Sequence, residues 1–174
     1  HSHALYLRGR LREAFEETQH IDVGAAPADF QAVILGSRAT VAYALGRYAE
    51  ATELGRGALE RSRRLGHDVT ESFCRDIIGF SRVLCDGDDC GLEDISAARE
   101  TLVRLGDMVA AAWPTTHVGT YHRRHGGLAS ALGAYEDAVQ MAQGDRDRLT
   151  AYNASINLEF TKGLASDRYA QRRL

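Results

Sequence analysis

Apolar residues recur at three- and four-residue spacing along almost the whole chain, the signature of amphipathic helices packed on one another. The pattern predicts a first helix over residues 4–20, ended by Asp22-Val23-Gly24 and Pro27. Residues 28–45 and 47–65 follow as an antiparallel pair. The stop at Leu65-Gly66-His67-Asp68 places a glycine just beyond the helix end. Residues 69–85 and 91–105 form the next pair across the polar loop Asp86-Gly87-Asp88-Asp89. A third pair covers 107–125 and 127–143, closed by Gly144-Asp145. Residues 146–163 open a fourth hairpin whose second helix is cut short at Leu174. Pro114 falls inside one of these helices, where a missing N–H and a ring clash predict a kink or a break.

A second periodicity lies above the helical one. Leu45-Gly46-Arg47-Tyr48-Ala49-Glu50-Ala51 has weaker copies elsewhere. Gly9-Arg10-Leu11-Arg12-Glu13-Ala14 precedes it by 37 residues (14 to 51), and Gly126-Gly127-Leu128-Ala129-Ser130-Ala131 follows after 80 (51 to 131). Arg168-Tyr169-Ala170-Gln171 echoes Arg47-Tyr48-Ala49-Glu50 after 121 (48 to 169), and the stop Arg64-Leu65-Gly66 returns as Arg104-Leu105-Gly106 after 40 (66 to 106). A period near 40 predicts an array of helical hairpins, each burying its apolar face on the next. Small residues support this: Ala39, Ala42, Ala51 and Ala58 stand where paired helices must approach closely. Tyr48, Leu54 and Leu59 supply the bulk that a neighbouring hairpin should cover.

The Leu45–Ala51 motif, followed by Ala58 and the Leu65-Gly66 stop, resembles a tetratricopeptide repeat. The resemblance spans nearly the whole chain, with a period longer than the usual 34 or so. Long repeats ending in Arg-Leu-Gly are similar to those of large ATP-binding LuxR-type bacterial regulators. It implies an all-α superhelix of about four stacked hairpins, forming one domain over residues 1–174. It also implies a non-catalytic segment that binds a protein or peptide, or a small effector, within a cytoplasmic transcriptional or signalling regulator. No phosphate-binding loop and no basic recognition helix accompany the repeats. The first repeat-like segment begins midway through its hairpin, which predicts a piece of a larger protein.

Composition narrows the partners. The chain has 174 residues, 44% hydrophobic and 26% charged, with 2 prolines. These values suit a globular helical domain. No apolar run approaches the roughly 18 residues that span a bilayer. Lys162 is the single lysine beside 20 arginines, yet the formal net charge is −3. That balance disfavours direct contact with nucleic acid. The 3 cysteines form no secreted framework, so reduced thiols are expected.

Candidate chemistry is sparse. Cys85 and Cys90 offer half of a zinc site, without a second pair. Asp86, Asp88 and Gly91 match part of a calcium loop, but Cys90 and Ala97 stand where oxygen ligands are required. An exposed acidic turn with no metal is the reading these gaps favour. His117, Tyr121, His122 and His125 share a helix with Arg123 and Arg124, whose charge opposes cation binding. A catalytic site around His117, His122 and His125 is the enzyme alternative. No nucleophile elbow, metal-protease helix or phosphate loop supports one, and no cofactor is expected.

In tetratricopeptide arrays the first helix of each hairpin lines the concave face. Aligned on Gly46, that resemblance implies Val33, Gly36, Thr40 and Tyr43 in one repeat, and Asp76, Phe80 and Val83 in the next. It continues with Thr116, Thr120 and Arg123, then Asn157 and Thr161. Asn153 and Asn157 share a helix face, and amides there can bond an extended peptide. The basic side chains that clamp a terminal carboxylate in chaperone-binding relatives do not align. Self-association through exposed terminal repeats is the remaining alternative, giving a homo-oligomer.

Overall fold

The computed structural model describes residues 2–86, 89–143 and 148–171, with side chains for 4–6, 8–85, 89–143 and 149–167. The fold is all-α, with helices packed against their neighbours within each of its compact units and no strand among the described residues. Two compact units divide it, His1–Thr101 and Leu102–Leu174.

The first unit holds α1 (Ser2–Leu7), α2 (Leu11–Gln19), α3 (Ala28–Ala44), α4 (Tyr48–Leu65), α5 (Asp68–Asp86) and most of α6 (Cys90–Arg104). Here α3 packs on α4, α4 on α5, and the first helices α3 and α5 also touch. The second unit holds α7 (Met108–Arg124), α8 (Leu128–Met141) and α9 (Arg148–Gln171). It follows the same scheme, with α7 on α8, α8 on α9, and α7 on α9.

One local device builds these turns. Gly9, Gly46, Gly66, Gly106 and Gly126 all have positive φ. After each, the next backbone N–H reaches back five residues, as in Arg47 N to Ala42 O at 2.9 Å and Gly127 N to His122 O at 2.9 Å. This closure satisfies carbonyls that a helix end leaves orphaned. At Gly46, with φ of 74°, a side chain would cost about 1–2 kcal/mol. The other end of α7 is capped by Asp107, whose carboxylate accepts from Ala110 N at 3.0 Å.

Small residues set the helix spacing, as the sequence leads one to expect. Ala39, Ala42, Ala51 and Ala58 are buried to 1% exposure or less. In α4 they continue as the seam Ala51, Gly55, Ala58 and Ser62. Gly55 is so close to α5 that a Cβ there would meet Ile78 Cγ1 at 2.9 Å. Gly79 of α5 faces Gly91 of α6 backbone to backbone. In the second unit the buried Tyr135 ring of α8 lies on Gly119 of α7.

Three expectations are corrected. Residues 4–20 are not one helix: the left-handed turn at Gly9 splits them into α1 and α2, so the upstream motif copy is a genuine hairpin turn. Residues 146–163 do not end at Gly163. The helix runs on to Gln171, because nothing forces that glycine out of helical geometry. Of the kink or break expected at Pro114, the break is absent: α7 continues from Met108 to Arg124 with the proline ring buried inside it. The stop at Gly144-Asp145, the loop residues Gly87 and Asp88, and the side chains of the Arg168-Tyr169-Ala170-Gln171 echo lie outside the described residues. Among the described residues no helix is long and apolar enough to cross a membrane.

Candidate binding surface

The positions inferred for a groove are mostly packed into the protein. In the first unit Asp76 is fully buried, and Phe80 is 4% exposed. Tyr43, at the last turn of α3, places its ring 5.7 Å from Phe80 and 6.1 Å from Tyr48. It therefore knits α3, α4 and α5 together. Burial, and then the nearby Asp76 charge, hold its phenol protonated well above the ordinary range. Thr40 is half-buried and donates its hydroxyl to Gly36 O at 3.0 Å.

The second unit treats its polar candidates the same way. Thr116, 4% exposed, donates to Ala112 O at 2.9 Å, and the fully buried Thr161 donates to Asn157 O at 2.7 Å. Thr120 Oγ1 lies 2.9 Å from the Tyr135 hydroxyl. Arg123 places its guanidinium 5.1 Å from the Phe160 ring centroid, a cation–π contact joining α7 and α9. Asn157 donates its amide to Asn153 O at 2.9 Å and Asn153 Oδ1 at 2.8 Å. The two asparagines thus bond each other along one helix.

The histidines separate into interior and surface. His117 is buried, edge-on to Trp113 at 5.1 Å. His125 is exposed and stacks on Tyr121 at 4.2 Å, with Nδ1 2.8 Å from Tyr121 O. His122 meets Tyr121 edge-on at 5.5 Å. Among the described residues no three His, Cys, Asp or Glu side chains converge as metal ligands.

The first helices also expose apolar side chains. On α3, Phe30 is 60% and Val33 47% exposed, and on α5 Val69 and Phe73 are 41% and 38% exposed. Val33 and Phe73 occupy the same register, 40 residues apart (33 to 73). Near them α3 and α5 close up, since a Cβ on Gly36 would meet Cys74 Sγ at 3.6 Å. In the second unit the exposed apolar residues of α9 are Leu149, Tyr152, Ile156 and Phe160. Of these exposed positions only Val33 was among the inferred groove residues. Phe73 follows from Val33 by the 40-residue register, and Phe30 and Val69 lie one turn nearer each helix N-terminus, whereas the exposed positions of α9 fall outside that register.

Neither a protein-family model nor a curated protein sequence matches the chain. Among solved structures it is similar to the crystal structure of BtubC (BKLC) from P. vanneervenii, with a TM-score of 0.65 and 20% identity over 92% of the chain. The chain spans 65% of that protein's length. At that identity the likeness is one of fold.

Proposed function

We propose that this chain is a non-catalytic binding module whose first helices receive an apolar segment of a partner protein. The observation that carries the reading is the exposed pair Val33 and Phe73, at one register on two touching helices, flanked by Phe30 and Val69. Scattered exposed apolar residues are ordinary, but a cluster set at the repeat spacing marks an interaction surface. The residues inferred from the motif, including Tyr43, Asp76 and Phe80, lie further along the same two helices, where Tyr43 and Phe80 pack α3 against α5. The tetratricopeptide-like motif supports a cytoplasmic regulatory setting, in which a ligand preferring one arrangement of the hairpins would bias a linked switch.

The test is selection of displayed peptides on the intact chain, counter-selected on a Val33→Glu/Phe73→Glu variant. The expected peptides carry aliphatic or aromatic side chains at regular spacing, and their affinity falls at least about tenfold on the variant. Peptides that bind both proteins equally would remove this surface from consideration.

A further inference from the structure

The exposed stripe on α9 has a symmetry of its own. Leu149, Tyr152, Ile156, Phe160 and Gly163 are spaced 3, 4, 4 and 3 residues apart, so the set reads alike in both directions about Ile156. These spacings put all five on one helix face. Leu149, Tyr152, Ile156 and Phe160 are 37%, 66%, 51% and 56% exposed. A Cβ built on Gly163 meets no atom within 4 Å, so the far end of the stripe is open.

We propose that α9 pairs with α9 of a second copy of this chain, antiparallel, with Ile156 on the two-fold axis. In a two-fold interface each residue meets its counterpart at equal distance on the other side of the axis. Ile156 then packs on Ile156 of the second copy, and each Tyr152 meets a Phe160. Leu149 enters the open space at Gly163, large against small. No charged residue lies in the stripe. Glu159, at its edge, falls opposite Asn153, whose oxygens are occupied by Asn157 and whose amide hydrogens remain to donate. A parallel pairing would instead set Glu159 beside Glu159 and leave Gly163 facing Gly163. The residues engaged differ from Val33 and Phe73, so the pairing stands or falls apart from the peptide surface.

The area is modest. Covering these side chains removes on the order of 400 Å² per copy, as large residues bury about 150–250 Å² each. The total, about 800 Å², lies below the roughly 1,200 Å² at which stable specific interfaces begin, in the range of weak and transient contacts. A weak, reversible dimer is therefore expected rather than a permanent one.

Sedimentation velocity of the full chain from about 5 to 500 µM reads the outcome. The expected result is a concentration-dependent rise toward twice the monomer mass. Ile156→Glu and Ile156→Lys, each with wild-type helical content, remain monomeric, because like charges face across the axis. An equimolar mixture of the two recovers the dimer, because opposite charges then meet. A chain that stays monomeric throughout overturns the proposal. So does a dimer that survives Ile156→Glu, or a mixture that fails to associate.

Discussion

Substituting Gly79 by alanine separates two opposing effects. In an unconstrained helix the change stabilises by about 1 kcal/mol, because glycine is the poorer helix former. Here the new Cβ would lie 2.5 Å from Gly91 O, 2.9 Å from Asp94 Cβ and 3.1 Å from Ile95 Cγ1, where ordinary contact begins at 3.4 Å. The nearest atom belongs to backbone and cannot rotate aside, so α5 and α6 must separate. Overpacking of this kind costs about 1–3 kcal/mol, and a backbone partner places it at the upper end. The net expectation is a loss of about 2 kcal/mol, or roughly 4–8 °C in Tm for a chain of this size. Gly133→Ala, on the exposed face of α8 with nothing within 4 Å, is the matched control. It should gain about 0.5–1 kcal/mol. Urea unfolding followed by far-ultraviolet circular dichroism measures both. If Gly79→Ala is as stable as Gly133→Ala, the close approach of α5 and α6 is wrong.

Thiol chemistry and pH provide further checks. Cys74 is buried, and burial, followed by the Glu71 charge, pushes its thiol up to about 12, whereas Cys85 and Cys90 are exposed. An aromatic disulfide reagent at neutral pH should label two thiols promptly and the third only on unfolding; three fast thiols would contradict the packing of α5. Tyr43 holds its proton more tightly folded than unfolded. Its contribution to stability is intact below the ordinary phenol value of about 10 and is lost as pH rises beyond it. Tyr43→Phe should therefore flatten the alkaline decline in urea-unfolding stability between pH 9 and 11, and an unchanged slope would show that Tyr43 is hydrated.

The turns were the most legible part of the fold. Glycines at the motif positions stand at left-handed turns, and the helices from 28 to 143 begin and end within about two residues of the periodicity. Gly9 and Gly163 show where that reading strains. Both sit in apolar-periodic segments, but only Gly9 adopts the left-handed turn, while Gly163 remains helical. The binding surface was harder to see. Alignment on Gly46 locates residues along a helix axis, whereas one residue of offset rotates a side chain by about 100°. First helices are also covered from two sides, by their own partner and by the next hairpin. Positions such as Asp76 and Thr161 therefore look surface-bound by composition and are interior by packing.

Ser62, Thr115, Thr116 and Thr161 share a habit: each buried hydroxyl donates to the carbonyl four residues earlier in its own helix. Their polarity is discharged locally, so no neighbour is obliged to supply a matching group. Successive copies are consequently free to drift in wording while the spacing persists. A lineage built this way can keep its architecture long after its repeats have ceased to look alike.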